Sequence, residues 1–390
     1  MPDLPARITG LTPEGDGWGL FMEARRMVAE GVPVIELTIG EHDVRTDASI
    51  LGAMDSSARG GHTGYASVPG TPELRDAVAR RVEARTGVPT RRGNVLVTPG
   101  GQAALFAAHM VACAPGARAA YVSPHYATYP GTIRAAGAVP VEVAARPEDG
   151  FVPSGAAIRA SAATSLLVNT PSNPAGTVLG TDALDDVARA VIDLDAWAIS
   201  DEVYDTMVWE GRHESLRARP GMAERTLVVG SMSKSHAMTG SRIGWLVGPE
   251  AAIAAATNLA THTTYGVPGF IQDAALHALG QGEALEARVA EPFRRRRDLA
   301  LRVLHGRPGL RVVPPQGGMY VMVDVRPTGL SGDEFAARLL RERLVAVMPG
   351  ESFGRAEGHL RVALTVDDMR LEEALERLAH LAAELSRSSA

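Results

Sequence analysis

Four short stretches carry side chains that could do chemistry. The first is Ser231-Met232-Ser233-Lys234, directly after the apolar run 226–230, with Arg242 further along the same loop. A lysine just past a strand end stands at the sheet rim, where ligands bind in α/β proteins. A nearby cation lowers its pKa and frees the amine to react with a carbonyl. Two hydroxyls, an amine and a guanidinium together also suit a phosphate, although a surface lysine satisfies the same pattern in isolation. The second stretch is Asp201-Glu202-Val203-Tyr204. An aspartate that stays ionised can hold a pyridinium nitrogen protonated, and a tyrosine three residues on can donate to a phenolate oxygen. An N-cap aspartate beside a packed tyrosine is the plainer alternative.

The third stretch, Asn169-Thr170-Pro171-Ser172-Asn173-Pro174-Ala175-Gly176, is a rigid turn that holds the Asn173 amide near a strand end. The fourth is Thr98-Pro99-Gly100-Gly101-Gln102, a glycine turn leading into a helical run. Bare N–H groups at a helix N-terminus bind phosphate.

These stretches need a scaffold, and the pattern around them supplies one. Strand-like runs at 95–98, 119–123, 139–143, 165–169, 196–200, 226–230 and 243–247 alternate with helical runs at 71–86, 102–113, 129–136, 182–194 and 250–259. That alternation implies parallel βαβ crossovers. From 283 the texture changes: a long helix to 305, strands at 310–313, 319–325, 345–348 and 359–363, and helices at 331–342 and 366–386. An α+β second domain is expected. The expected division is an N-terminal segment 1–47 on the small domain, a large domain 48–282 and a small domain 283–390. The arginine run 294–297 reads as a solvated helix face among Glu286, Glu291 and Asp298.

Composition narrows the class. The chain has 390 residues, 45% hydrophobic and 22% charged, with 39 Lys+Arg against 45 Asp+Glu and a net charge of −6. Such a balance excludes disorder and gives no positive excess for phosphate backbones, so no nucleic-acid partner is expected. The one cysteine, Cys113, rules out an internal disulfide framework and a thiolate metal cluster, and no metal site is expected. It sits in the apolar run 106–114 and reads as a buried thiol. Residues 1–10 lack a signal-peptide pattern, and no stretch reads as a membrane span, so the expectation is a cytoplasmic protein.

Taken together, the four stretches resemble the class I/II aminotransferases, the fold-type-I enzymes dependent on pyridoxal 5′-phosphate (PLP). The resemblance runs from Ile39-Gly40-Glu41-His42-Asp43 through Gly64-Tyr65, Gly70 and Glu73-Leu74-Arg75. It ends with Gly317-Gly318-Met319-Tyr320, Pro349-Gly350-Glu351-Ser352-Phe353-Gly354 and Leu360-Arg361-Val362. It implies a mostly parallel sheet sandwiched by helices, with a smaller α+β domain. It implies that Lys234 carries PLP as a Schiff base and shuttles a proton, while Asp201 pairs with the pyridine nitrogen. Tyr204 and Asn173 would bond the phenolate oxygen, and Tyr126 would stack on the ring. The phosphate would lie on Gly101, Gln102, Ser231, Ser233 and Arg242, with Tyr65 reaching the site of a neighbour in a homodimer. Arg361 would clamp the substrate carboxylate, with Asn173, Gly40 and Trp18 around it.

Two positions depart from the family pattern: His42 replaces a frequent proline, and Ser241 a frequent tryptophan. The segments 233–240, 270–275 and 318–324 resemble most closely the arginine–pyruvate transaminase branch, which implies transfer of the amino group of L-arginine to pyruvate. A guanidinium side chain calls for a carboxylate or an aromatic face, for which Glu14, Asp16, Trp18 and Glu41 are candidates. The rival expectations are a broad-specificity aspartate/aromatic/alanine-type aminotransferase, a PLP-dependent C–S β-lyase on the same fold, and a PLP-sensing regulator. The regulator would need an appended DNA-binding region.

Overall fold

The computed structural model describes residues 3–11 and 18–388. Its larger sheet has seven strands in the spatial order Val95–Thr98, Gly244–Val247, Thr226–Ser231, Trp197–Asp201, Ser165–Asn169, Arg118–Ser123 and Val139–Ala144. The last five pair in parallel, as the alternation of runs predicts. The three strands at one end of this sheet, 95–98, 244–247 and 226–231, are buried along their whole length. Near-continuous apolar runs of this kind mark a sheet covered on both faces.

Gly244–Val247 is the exception, antiparallel to both neighbours. The reason is local. Ser231 pairs directly with Gly244, so the intervening loop leaves and re-enters the sheet at the same rim. That loop holds only a one-turn helix, Met232–Ser235, and a 3₁₀ turn, Thr239–Ser241. No helix carries the chain across the sheet, so the next strand must run back.

The second sheet has five strands in the order Ile35–Leu37, Val345–Pro349, His359–Ala363, Tyr320–Asp324 and Arg311–Val313. All pairings are antiparallel except that of Ile35–Leu37 with Val345–Pro349. The helices Glu283–Leu304, Gly332–Arg343 and Asp368–Ser388 cover it, and their apolar faces meet Phe293, Phe335, Leu339 and Leu375 in one core. The helices Trp18–Ala29, Ala48–Arg59 and Gly269–Gly280 were not among the predicted elements. The last two are rich in glycine, serine or alanine.

The arginine run corrects the expectation of a solvated face. Successive helical residues point about 100° apart, and here only Arg294 and Arg295 face outward. Arg296 is buried and pairs through both Nη atoms with Asp43 (2.9 and 2.6 Å), and Arg297 bonds Glu210 and the Pro315 carbonyl. Cys113 is buried as expected, 3.1 Å from Ser165 Oγ, and burial pushes its thiol pKa up. No helix among the described residues is long and apolar enough to cross a membrane, and none of them form a metal-ligating cluster.

Candidate active site

The ends of strands 165–169, 197–201 and 226–231 open, with the helix Gly100–Ala112, onto a cavity of about 330 Å³. Asp201, Tyr204, Asn173, Gly101, Gln102, Tyr126, Ser231, Ser233, Lys234, Arg242, Arg361, Gly40 and Trp18 all line it. Tyr65 does not. It is 92% exposed, edge-on to Tyr265 at 5.2 Å. Glu14 and Asp16 lie outside the described residues, whereas Glu41 lines the cavity.

Lys234 projects from the one-turn helix, whose start is capped by Ser231 Oγ accepting from Ser233 N at 3.0 Å. Its Nζ donates to the Gly40 carbonyl, and burial pushes its pKa down, toward a reactive neutral amine. His42 explains its departure from proline. Its Nε2 lies 2.9 Å from the Lys234 carbonyl, and its ring stands edge-on to Phe293 at 5.0 Å. Burial, then the Lys234 charge, drives the His42 pKa down to about 4. The ring is therefore neutral near pH 7 and must carry its proton on Nε2 to donate to a carbonyl. A proline could make no such bond. Ser241, the second departure, is half-buried in the 3₁₀ turn.

At one end the cavity is an anion cradle. Gly100 has φ +77°, and a Cβ there would collide with the Arg242 guanidinium. A Cβ on Gly244 would lie 2.9 Å from Gly100 C and 3.0 Å from Gly101 N. Only bare backbone lets these three segments converge. The first turn of helix 100–112 leaves N–H groups with no partner inside the helix, and its dipole favours a negative group. Arg242 Nη1 donates to Thr239 O at 2.8 Å, and no carboxylate among the described residues pairs with it.

At the other end lies a second cation with no acid. Arg361 is buried between the faces of Tyr320 (4.5 Å) and Phe353 (4.3 Å). Its Nη1 donates to Asn173 Oδ1 at 3.0 Å and its Nη2 to the Thr38 carbonyl, while Nε has no partner among the described residues. A buried guanidinium without a counter-ion is costly, and an anionic ligand would remove that cost.

Between these ends, Asp201 is buried against Tyr129, whose O–H donates to Oδ2 at 2.7 Å. Burial pushes the Asp201 carboxyl up to about 6, partly opposed by the bonds from Tyr129 and Val203 N–H. Tyr204 O–H lies 3.2 Å from Tyr320 O–H, and burial raises its phenol pKa well above the usual value. Asn173 is held by its N–H to Asn169 Oδ1 at 2.7 Å. Tyr126 stands edge-on to Tyr129 at 5.6 Å.

Tyr129 and Tyr320 were missed as site residues. Tyr320 stood within a recognised motif but had no role attached, and a Cβ on Gly40 would strike its hydroxyl. Phosphate cradle, reactive amine, buried acid and carboxylate-free arginine together match the polar groups of PLP and of an amino acid. The residues fit the cofactor that the resemblance implied.

Comparison with known proteins agrees. The family model described as aminotransferase class I and II matches residues 32–378. The arginine–pyruvate transaminase AruH of Pseudomonas aeruginosa is 42% identical over 379 residues, covering 95% of this chain and 96% of the relative. The aspartate/prephenate aminotransferase of Thermus thermophilus is 38% identical, covering 98% and 99%. A solved structure of the Thermus thermophilus aspartate aminotransferase with maleate superposes with a TM-score of 0.92 at 35% identity, covering 98% of this chain and all of that one.

Proposed function

Since the chain belongs to the class I and II aminotransferases and is a PLP-dependent enzyme of fold type I, we propose that its amino donor is L-arginine and its acceptor pyruvate. The products are 5-guanidino-2-oxopentanoate and L-alanine. The observation that carries this reading is the 42% identity to the arginine–pyruvate transaminase over nearly the whole chain. Glu41 at the cavity wall, close to Thr239 Oγ1 (3.4 Å), supports it as a counter-charge for a guanidinium. The 38% identity to an aspartate/prephenate aminotransferase favours a broad-specificity enzyme as the second reading.

The roles follow from the chemistry of each group. PLP, when bound, supplies the electron-withdrawing ring that stabilises negative charge at the substrate Cα. Lys234 Nζ would hold the cofactor until the amino acid arrives, and the freed amine would then carry the proton that leaves the substrate Cα. Asp201 would accept the ring N–H, Tyr204 and Asn173 would bond the phenolate oxygen, and Tyr126 would cover the ring face. Gly101, Gln102, Ser231, Ser233 and Arg242 would hold the phosphate. Arg361 and Asn173 orient the substrate carboxylate, with Gly40 and Trp18 bordering the side chain. The same residues would serve the 2-oxo acid that takes up the amino group.

The assembly in this reading is a cytoplasmic homodimer in which Tyr65, exposed in one protomer, serves the partner's phosphate site. The reading divides the chain into 1–47, 48–282 and 283–390, and the membership of Ile35–Leu37 in the smaller sheet supports it. A panel of amino donors, each with pyruvate and 2-oxoglutarate and followed by cofactor absorbance, tests the donor. Arginine should convert the cofactor, and pyruvate should restore it. If arginine leaves the spectrum unchanged while another amino acid converts it, the arginine reading fails.

A further inference from the structure

We propose that Tyr129 is a positioning residue for this reaction: its phenol O–H holds the Asp201 carboxylate ionised and oriented to accept the ring nitrogen's proton. The inference rests on the role given above to Asp201. The O–H donates to Asp201 Oδ2 at 2.7 Å, and both residues are buried to 3% exposure. The other donor to the carboxylate, Val203 N–H to Oδ1, is longer at 3.3 Å. Asn169 Nδ2 (2.9 Å) and Thr170 N–H (3.1 Å) bond the Asp201 carbonyl and so fix its backbone, leaving the carboxylate to Tyr129. No cation among the described residues pairs with that carboxylate. The phenol is its one close donor among the described residues, and both residues line the cofactor cavity.

The surroundings otherwise oppose ionisation. Burial is the largest effect, and the adjacent Glu202 adds negative charge, itself held by Ser200, Ser215 and His213. Tyr126 and Tyr204 face the same cavity with raised phenol pKa values and stay neutral, and the cations on the cavity wall are Lys234, Arg242 and Arg361. Tyr129 cannot take the Asp201 proton's place as an acid. Burial, then the Asp201 charge, lifts its phenol pKa far above the ordinary value. It is a permanent donor, and a donor to the charged form can only favour that form.

Its position is also fixed. Tyr129 opens the helix Tyr129–Ala135, donates its N–H to the Tyr126 carbonyl at 3.0 Å, and packs in one apolar cluster with Leu105, Ile133, Leu167 and Ile199. Tyr126 is the residue read above as covering the ring face. One short segment, 126–129, therefore sets both the face contact and the acid behind the ring nitrogen.

Y129F removes only the hydroxyl. Titrating apoprotein with PLP by fluorescence should show binding weakened about tenfold or more, the usual worth of a hydrogen bond to a charged group. The acid limb of the kcat/KM–pH profile should move to higher pH, because the carboxyl then keeps its proton to higher pH. Installing 3-fluorotyrosine at position 129 gives a more acidic phenol and a stronger donor, and should move the acid limb the opposite way. A purely structural role produces no such pair of opposite shifts. Wild-type PLP affinity and an unmoved acid limb in Y129F, with both lost in D201N, overturn the Tyr129 inference and leave Asp201 standing. Wild-type behaviour of D201N overturns the Asp201 role beneath it. Thermal unfolding of the apoproteins monitors folding. If Y129F does not fold, an unmoved acid limb in the fluorotyrosine protein overturns the inference by itself.

Discussion

At the floor of the cavity, Asp201, Lys234, Asn173 and Arg361 are each held by at least one partner from a distant part of the chain. At the mouth, Trp18 is 36% exposed, and Glu41 is exposed with Thr239 Oγ1 at 3.4 Å. The two regions answer different demands. Proton transfer needs groups whose pKa values are set by a fixed, dry environment. Substrate recognition needs a surface that admits and releases a ligand. The floor is therefore where the family's chemistry is written, and the mouth is where one member differs from another.

This contrast can be broken most sharply at Lys234. K234A should lower transamination by roughly 10⁴-fold or more while the apoprotein still takes up PLP, seen by absorbance of the dialysed protein. Turnover near the wild-type rate would remove the floor's central assignment.

Asp201 offers a subtler test, because burial makes its charge a burden on the fold. A carboxyl raised from an ordinary value near 4 to about 6 contributes stability that is fully present below pH 4 and lost as the pH rises through 6. An asparagine suffers no such loss. Urea unfolding should find D201N apoprotein more stable than wild type by about 3 kcal/mol at pH 7, with the gap closing near pH 4. An equal difference at both pH values would mean that packing, not ionisation, separates the two.

The smallest effect belongs to the mouth. E41Q should reduce kcat/KM for arginine by about tenfold and leave an uncharged donor such as alanine unaffected. Equal losses for both donors would place Glu41 outside side-chain recognition.

How much of this was legible from residues depends on sequence distance. Lys234, Asp201 and Asn173 each lie within about four residues of the end of an apolar run, so strand and rim were readable in one glance. Tyr129 acts on a residue 72 positions away and Tyr320 on one 147 positions away, and no local pattern announces such a pairing. The strand Ile35–Leu37 is too short to show alternation. The arginine run failed for a geometric reason: adjacent residues on a helix face different neighbours, so a block of like charge need not share one environment. His42 read as a departure whose effect was open, and only its contact with the Lys234 carbonyl gave it a purpose.

The parallel pairing of Ile35 with Val345 bears on how the molecule is made. On the ribosome the first of these strands emerges early, and its partner follows about 310 residues later (345 − 35). At roughly 5–20 residues per second that interval is about 15–60 seconds. All of the larger sheet is synthesised within it, so the cofactor pocket's walls can assemble before its carboxylate clamp exists. The amino-terminal segment must stay soluble and unpaired throughout, and its modest, three-residue strand, too short to template aggregation, suits that wait.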